Sequence, residues 1–248
     1  MEKNLSLSYS KITTFLECPK KYYFQYVCKF PTKPKYYYSF GETVHKVLEA
    51  MYCAKRDFNK LPRLNELILL IDEYWIGEGF WDEDQEKEAK SEAKEIITNY
   101  YRKNIFTYKP AFSVEEWISF NIDDINITGK IDRIDRLPSN EFEIIDYKTG
   151  NGDKTENIDF MEKLQLIIYS IGFKAKYNFD AAKVSWYFLR KNEKLTLKLS
   201  TEDLLKGEEL IKNVYQEILK SSFNKKENEF CQFCDFIEAC QSKFLSSP

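Results

Sequence analysis

The stretch EIIDYKTG, residues 143–150, leads two isoleucines into Asp146 and sets Lys148 one residue further on. A strand alternates its faces with a period of two. Asp146 and Lys148 are therefore expected on one face, with Ile145 and Tyr147 on the other. An ion pair at a strand end is common and weak, but a second acid lies upstream. In GKIDRID, residues 129–135, Asp132 shares a strand face with Lys130 and Ile134. The turn at Leu137-Pro138-Ser139-Asn140 lets this strand fold back antiparallel on 141–149, so that Asp132 approaches Asp146 across the sheet. Two carboxylates converging beside an apolar core repel each other unless a counter-charge joins them. Magnesium or manganese, with their preference for carboxylate, carbonyl and water ligands, would supply that charge. Lys148 beside them would steady an attacking water or the charge developing on a phosphorus centre.

Three further residues and a cysteine run belong to the chemistry-bearing set. His45 is the sole histidine; a lone histidine is more often structural than a ligand. Gln165 and Tyr169, in QLIIY, are four apart and share a helix face, although Leu164, Leu166, Ile167 and Ile168 mark that helix as mostly core. The six cysteines are Cys18, Cys28, Cys53, Cys231, Cys234 and Cys240. CQFCDFIEAC, residues 231–240, is a C-x2-C-x5-C run, one ligand short of a closed tetrahedral or cubane site. Cys18, directly before Pro19, is the best fourth ligand. Iron–sulfur and zinc both suit such thiolates. Cys28 and Cys53 are expected to pack as small apolar residues. Disulfides are not expected in a cytosolic chain.

These residues need elements to position them. Residues 8–27 read as two helical pieces, with Ser8 or Ser10 as cap and Pro19 restarting the second. Helical spacing follows at 40–55, 63–78 and 82–104, and strand patterns at 112–122, 126–135 and 141–149. A helix over 156–175, strands at 181–190 and 195–200, and a helix from Ser200 or Thr201 to Leu219 complete the order. This predicts an α/β fold with a mixed central sheet, not a strict alternation. The 248 residues, 43% hydrophobic and 16% aromatic, suffice for a sizeable core. They are expected to form one domain, 1–248, with a helical elaboration at 55–110 and a cysteine segment at 225–248. No apolar run reaches membrane-spanning length, and MEKNLSLSYSK lacks the apolar core of a signal peptide, so the expected location is cytoplasmic. A balance of 37 basic and 40 acidic residues excludes a globally basic nucleic-acid binder. Locally, residues 1–40 carry seven lysines against Glu2 and Glu17. KKYYFQYVCKFPTKPKYYY, residues 20–38, reads either as a surface for phosphates and base faces or as a helix with a core aromatic face and solvated lysines.

Taken together, the motifs resemble the PD-(D/E)XK nuclease superfamily in its RecB-like branch. CPKKYYFQYV (18–27) is similar to that branch's N-terminal motif and GETVHKVLE (41–49) to its GxxxH segment. GKIDRID is similar to the first-acid motif, EIIDYKTG to the D/E-x-K motif and QLIIY to the QxxxY motif. One departure is Ile131, where the family pattern has proline before the acid. The resemblance implies a restriction-endonuclease-like mixed sheet flanked by helices. It implies a magnesium- or manganese-dependent deoxyribonuclease, an exonuclease acting on single strands or DNA ends, in CRISPR spacer acquisition or DNA repair. His45, Asp132 and Asp146, with the Tyr147 carbonyl, would bind metal; Lys148 would position the water; Gln165 and Tyr169 would orient DNA or the lysine. It further implies a [4Fe–4S] cluster held by Cys18, Cys231, Cys234 and Cys240, stapling the N- and C-terminal segments. DNA is the implied partner, with CRISPR integration proteins or a separate helicase, since no GxxxxGK[ST] loop occurs in the sequence. The competing readings are a non-catalytic DNA-binding or scaffold module of the same fold, and a zinc-stabilised interaction domain.

Overall fold

The structure, a computed structural model, describes residues 5–53, 62–150 and 158–241. The expected helix end at 54–55, part of the elaboration at 55–110, the helix start at 156–157 and the end of the cysteine segment lie outside the described residues. The chain divides into two compact units. One comprises residues 34–118 and 130–199; the other comprises residues up to 33, 119–129, and 200 onward.

The first unit carries most of the sheet and, among the described residues, four α-helices. Its helices are α3 (Tyr36–Tyr52), α4 (Leu64–Tyr74), α5 (Glu83–Asn104) and α6 (Phe160–Tyr177). Local chemistry sets their starts: Asp82 caps α5 by accepting from Gln85 N–H, and Asp159 with Glu162 forms a reciprocal capping box on α6. Strand β2 (Ser113–Ile122) pairs with β3 (Ile125–Arg136), and both contribute residues to each unit. Asn140, at φ 69°, closes the turn to β4 (Phe142–Lys148) by donating its N–H to Leu137 O. Asparagine tolerates this left-handed conformation well. Strand β4 runs antiparallel to β3, with Arg133 opposite Ile145, and parallel to β5 (Ala181–Phe188), with Tyr147 opposite Tyr187. Strand β6 (Glu193–Leu197) closes the edge antiparallel to β5. The result is an α/β fold with a mixed sheet flanked by helices. Ile145, Tyr147 and Tyr187 enter a core built with Val44, Leu48 and Tyr52 of α3, Leu67 and Ile71 of α4, and Ile97 and Tyr100 of α5.

The second unit contains β1 (Ser6–Leu7), α1 (Tyr9–Glu17), α2 (Pro19–Tyr22), α7 (Thr201–Lys220) and α8 (Ile237–Gln241). Ser8 caps α1, and Pro19 occupies the first position of α2, which runs on into a π-helical turn over Tyr23–Val27. Strand β1, absent from the sequence reading, pairs parallel with Asn126 and Ile127 of β3; two residues are too few to show a period.

Two expectations need correction. The lysine–aromatic stretch is not a continuous surface: Lys20, Tyr22 and Phe24 are buried. Lys20 Nζ lies 5.3 Å from the Tyr23 ring centre and 5.2 Å from that of Phe24. For residues 20–24 the core reading therefore prevails, because α2 has rings on several sides. Cys28 and Cys53 are only partly buried, not core residues; each falls at a helix end. Among the described residues, no helix is long and apolar enough to cross a membrane.

Candidate active site

Alternation along β4 separates its residues as the sequence demands. Ile145 and Tyr147 go to the core of α3, α4 and α5, whereas Lys148 faces α6. Its Nζ donates to Gln165 Oε1 at 2.7 Å, and Gln165 Nε2 donates to Tyr169 OH at 2.9 Å. The helix spacing of four thus forms a relay that fixes the lysine. Lys148 Nζ also lies 2.7 Å from Asp146 Oδ2. That contact is an ion pair outside hydrogen-bond geometry, so the buried Oδ2 accepts no hydrogen bond.

The β3–β4 register, continued one step from Arg133 and Ile145, sets Asp132 opposite Asp146. Asp132 Oδ2 accepts the Tyr147 N–H at 2.7 Å, and Oδ1 is 3.5 Å from His45 Nδ1. His45 reaches the strands because α3 passes close to the end of β4. A Cβ on Gly41, one turn before His45, would stand 3.2 Å from Thr149 Oγ1. Ligand atoms of His45, Asp132 and a third residue, Glu115 of β2, all lie within 4.8 Å of one another.

Glu115 is the residue the sequence reading missed. It has φ 50° inside a strand, an irregularity of the kind that re-aims a side chain. Strict alternation gives no reason to choose Glu115 over Glu116, which pairs with Lys176 instead. The Tyr147 hydroxyl points away from the acids. It lies 3.3 Å from both Tyr100 OH and Arg133 Nη1, and the Arg133 guanidinium stacks 3.4 Å from the Tyr52 ring centre.

The site gathers three carboxylates beside Lys148, Lys130 and His45. Burial pushes the Asp146 carboxyl up to about 6; Lys148 opposes this and Asp132 adds to it. Burial also raises Glu115 against its ion pair with Lys130. Burial would lower His45, but Asp132 and the other acids outweigh that and raise it. One buried carboxylate, two half-buried ones and one imidazole make a donor set suited to magnesium or manganese.

In the other unit, Cys18, Cys231, Cys234 and Cys240 line one cavity of about 490 Å³, with Lys20 and Lys225 beside them. Cys18 Sγ accepts the Lys226 N–H and Cys231 Sγ the Asn228 N–H, both at 3.4 Å. The C-terminal segment is held independently by Asn228 Nδ2 on Glu17 O at 3.3 Å and by Phe236 against Phe24 at 5.8 Å. Burial pushes the Cys240 thiol up, and Cys18 and Cys234 add to the rise. Among the described residues, no three of these sulfurs lie within 4.8 Å of one another. Cys28 does not line the cavity, and Cys53 belongs to the first unit.

Residues 6–241 match the family model of the PD-(D/E)XK nuclease superfamily. Among solved structures, a protein of Eubacterium rectale provisionally assigned as an exonuclease is 12% identical, with a TM-score of 0.59 over 96% of this chain and 88% of that one. The structure of SSO0001 is 16% identical, with a TM-score of 0.46 over 98% of this chain and 88% of that one. No curated protein matches the sequence.

Proposed function

The chain belongs to the PD-(D/E)XK nuclease superfamily, and on that premise we propose a magnesium- or manganese-dependent deoxyribonuclease of the RecB-like branch, acting as an exonuclease on single strands or DNA ends. One observation carries the reading: Lys148, fixed by Gln165 and Asp146, stands beside a cluster in which His45, Glu115 and Asp132 converge. A merely structural ion pair has no need of His45, Glu115 and Asp132 converging nearby.

His45, Glu115, Asp132 and Asp146 would hold the ion, with the Tyr147 carbonyl as a further ligand. A bound ion would supply Lewis-acid polarisation of the phosphoryl oxygen and lower the pKa of water. The chain's own part is positional and electrostatic. Lys148 Nζ offers a preorganised donor to the water or to the charge developing on phosphorus. Gln165 takes up one Lys148 hydrogen and Tyr169 orients Gln165. The Tyr147 amide holds the Asp132 carboxylate in place.

Cys18, Cys231, Cys234 and Cys240 are proposed as ligands of a [4Fe–4S] cluster with a structural role. Their shared cavity and the N–H donors to sulfur support this. CRISPR spacer acquisition or DNA repair is the setting the motif set suggests, beside integration proteins or a separate helicase.

The test is digestion of end-labelled single- and double-stranded DNA with magnesium or manganese. Progressive loss of mononucleotides or short products from an end is expected; DNA left intact at every metal concentration would overturn the proposal.

A further inference from the structure

The buried half of the lysine–aromatic stretch leaves a second half to explain. Tyr36, Tyr37 and Tyr38 open α3 and are all exposed, Tyr38 by 68%. Tyr36 packs on Phe80, ring centres 5.8 Å apart, while Tyr37 and Tyr38 present aromatic surface to solvent. The rings of Tyr37 and Tyr38 lie 4.6 Å apart, tilted by 57°.

Their place on the helix is informative. Tyr38, Gly41 and His45 follow at intervals of three and four, and so share one face of α3. Gly41 marks that face as the one meeting the end of β4, because it abuts Thr149, the residue after Lys148. A second contact links the same places. Arg190 Nε donates to Thr149 O at 2.5 Å, and its guanidinium lies 5.1 Å from the Phe40 ring centre. From Tyr38 to His45 the helix rises roughly 10 Å, which is about one to three nucleotides of a single strand at 3.4 Å or more each.

We propose that Tyr37 and Tyr38 are a base-stacking step for single-stranded DNA, receiving a base within about three nucleotides of the scissile phosphate. This rests on the nuclease reading and deepens it by assigning the substrate class. Stacking is available to unpaired bases and closed to bases inside a duplex, so the step selects single strands. Base–aromatic stacking tolerates sequence, because every base has a π-face, and loss of one aromatic costs about 1–3 kcal/mol, roughly fivefold to a hundredfold in affinity.

The experiment combines variants with an abasic scan. Binding of a fluorescent single-stranded oligonucleotide is measured by anisotropy in EDTA for the parent chain, Tyr38→Ala, Tyr38→Trp and Tyr37→Ala/Tyr38→Ala. Matched duplex is the control, and cleavage by the parent is recorded with manganese. Tyr38→Ala should weaken single-strand binding about tenfold and duplex binding less than twofold, with Tyr38→Trp restoring it. One abasic nucleotide, moved along the strand, should weaken parent binding at one position near the cut and have no effect there in Tyr38→Ala. Unchanged single-strand affinity in the double variant, or equal losses for single strand and duplex, overturns the stacking step while parent cleavage keeps the nuclease reading intact. A parent that neither binds nor cuts DNA overturns both.

Discussion

The acid cluster and the cysteine pocket are both gatherings of ligand-type side chains, but they are built in opposite ways. The acids sit on β2, β3 and β4 and His45 on α3; β4 and α3 also build the main core, which sets the positions of Asp146 and His45. Each is already engaged: Asp132 by the Tyr147 amide, Asp146 and Gln165 by Lys148, Glu115 by Lys130. The cysteines sit on a helix end, a 3₁₀ turn and a five-residue helix, and their sulfurs stand apart around a cavity. The contrast teaches that one site would be rigid before any ion arrives, whereas the other would gain cohesion from the proposed cluster. Removing an acid should therefore cost chemistry and leave the fold, and removing a thiol should cost the fold.

The largest expected effect is on cleavage. Asp132→Ala and Asp146→Ala should each lower the single-turnover rate by about a thousandfold, roughly 4 kcal/mol, without lowering the melting temperature in EDTA. A large drop in melting temperature would make the acids structural and erase the contrast. Next comes Cys18→Ser, which should bleach the protein and lower its melting temperature by about 10 °C, because the cross-link closes a very long loop. Cys53→Ser should do neither. Four irons per chain retained in Cys18→Ser would move the fourth ligand elsewhere.

A third effect follows from Asp146. Its carboxyl is raised in the folded protein, so the folded state holds its proton longer than the unfolded state does. Its contribution to metal-free stability is most favourable below about pH 4 and falls as pH rises through about 6, by about 3 kcal/mol. Asp146→Asn should remove that slope in EDTA melts; parallel pH curves for parent and variant would show that burial does not raise the Asp146 carboxyl. Lys148→Ala should then slow the chemical step about a hundredfold with DNA affinity retained; weakened binding at an unchanged rate would make the lysine a phosphate anchor. Gln165→Ala should show the smallest effect, about tenfold, since it acts only through Lys148.

Much of this arrangement was legible because strands and helices impose fixed periods. The pair Asp146 and Lys148 needed only the period of two, and the Leu137–Asn140 turn fixed the register that sets Asp132 opposite Asp146. Gln165 and Tyr169 needed only the helical repeat, whereas Cys18 beside the C-terminal cysteines rested on its place before Pro19 and on the family resemblance. Glu115 was illegible because a left-handed residue inside a strand breaks the period that sequence reading relies on. The burial of Lys20 and Tyr22 was illegible because an aromatic–lysine stretch has the same composition in a core as on a surface. The Arg133 network beneath Tyr147 joins four distant segments, which no local pattern encodes.

The central claim is that the His45, Glu115, Asp132 and Asp146 cluster makes this chain a metal-dependent nuclease. The most direct measurement is single-turnover cleavage of an end-labelled single-stranded oligonucleotide, started by adding manganese to EDTA-stripped protein, for the parent and Asp132→Asn side by side. The account predicts no cleavage before the addition, saturable cleavage after it, and a rate about a thousandfold lower for Asp132→Asn at every manganese concentration. Cleavage that persists in excess EDTA, or that survives Asp132→Asn unchanged, would contradict it.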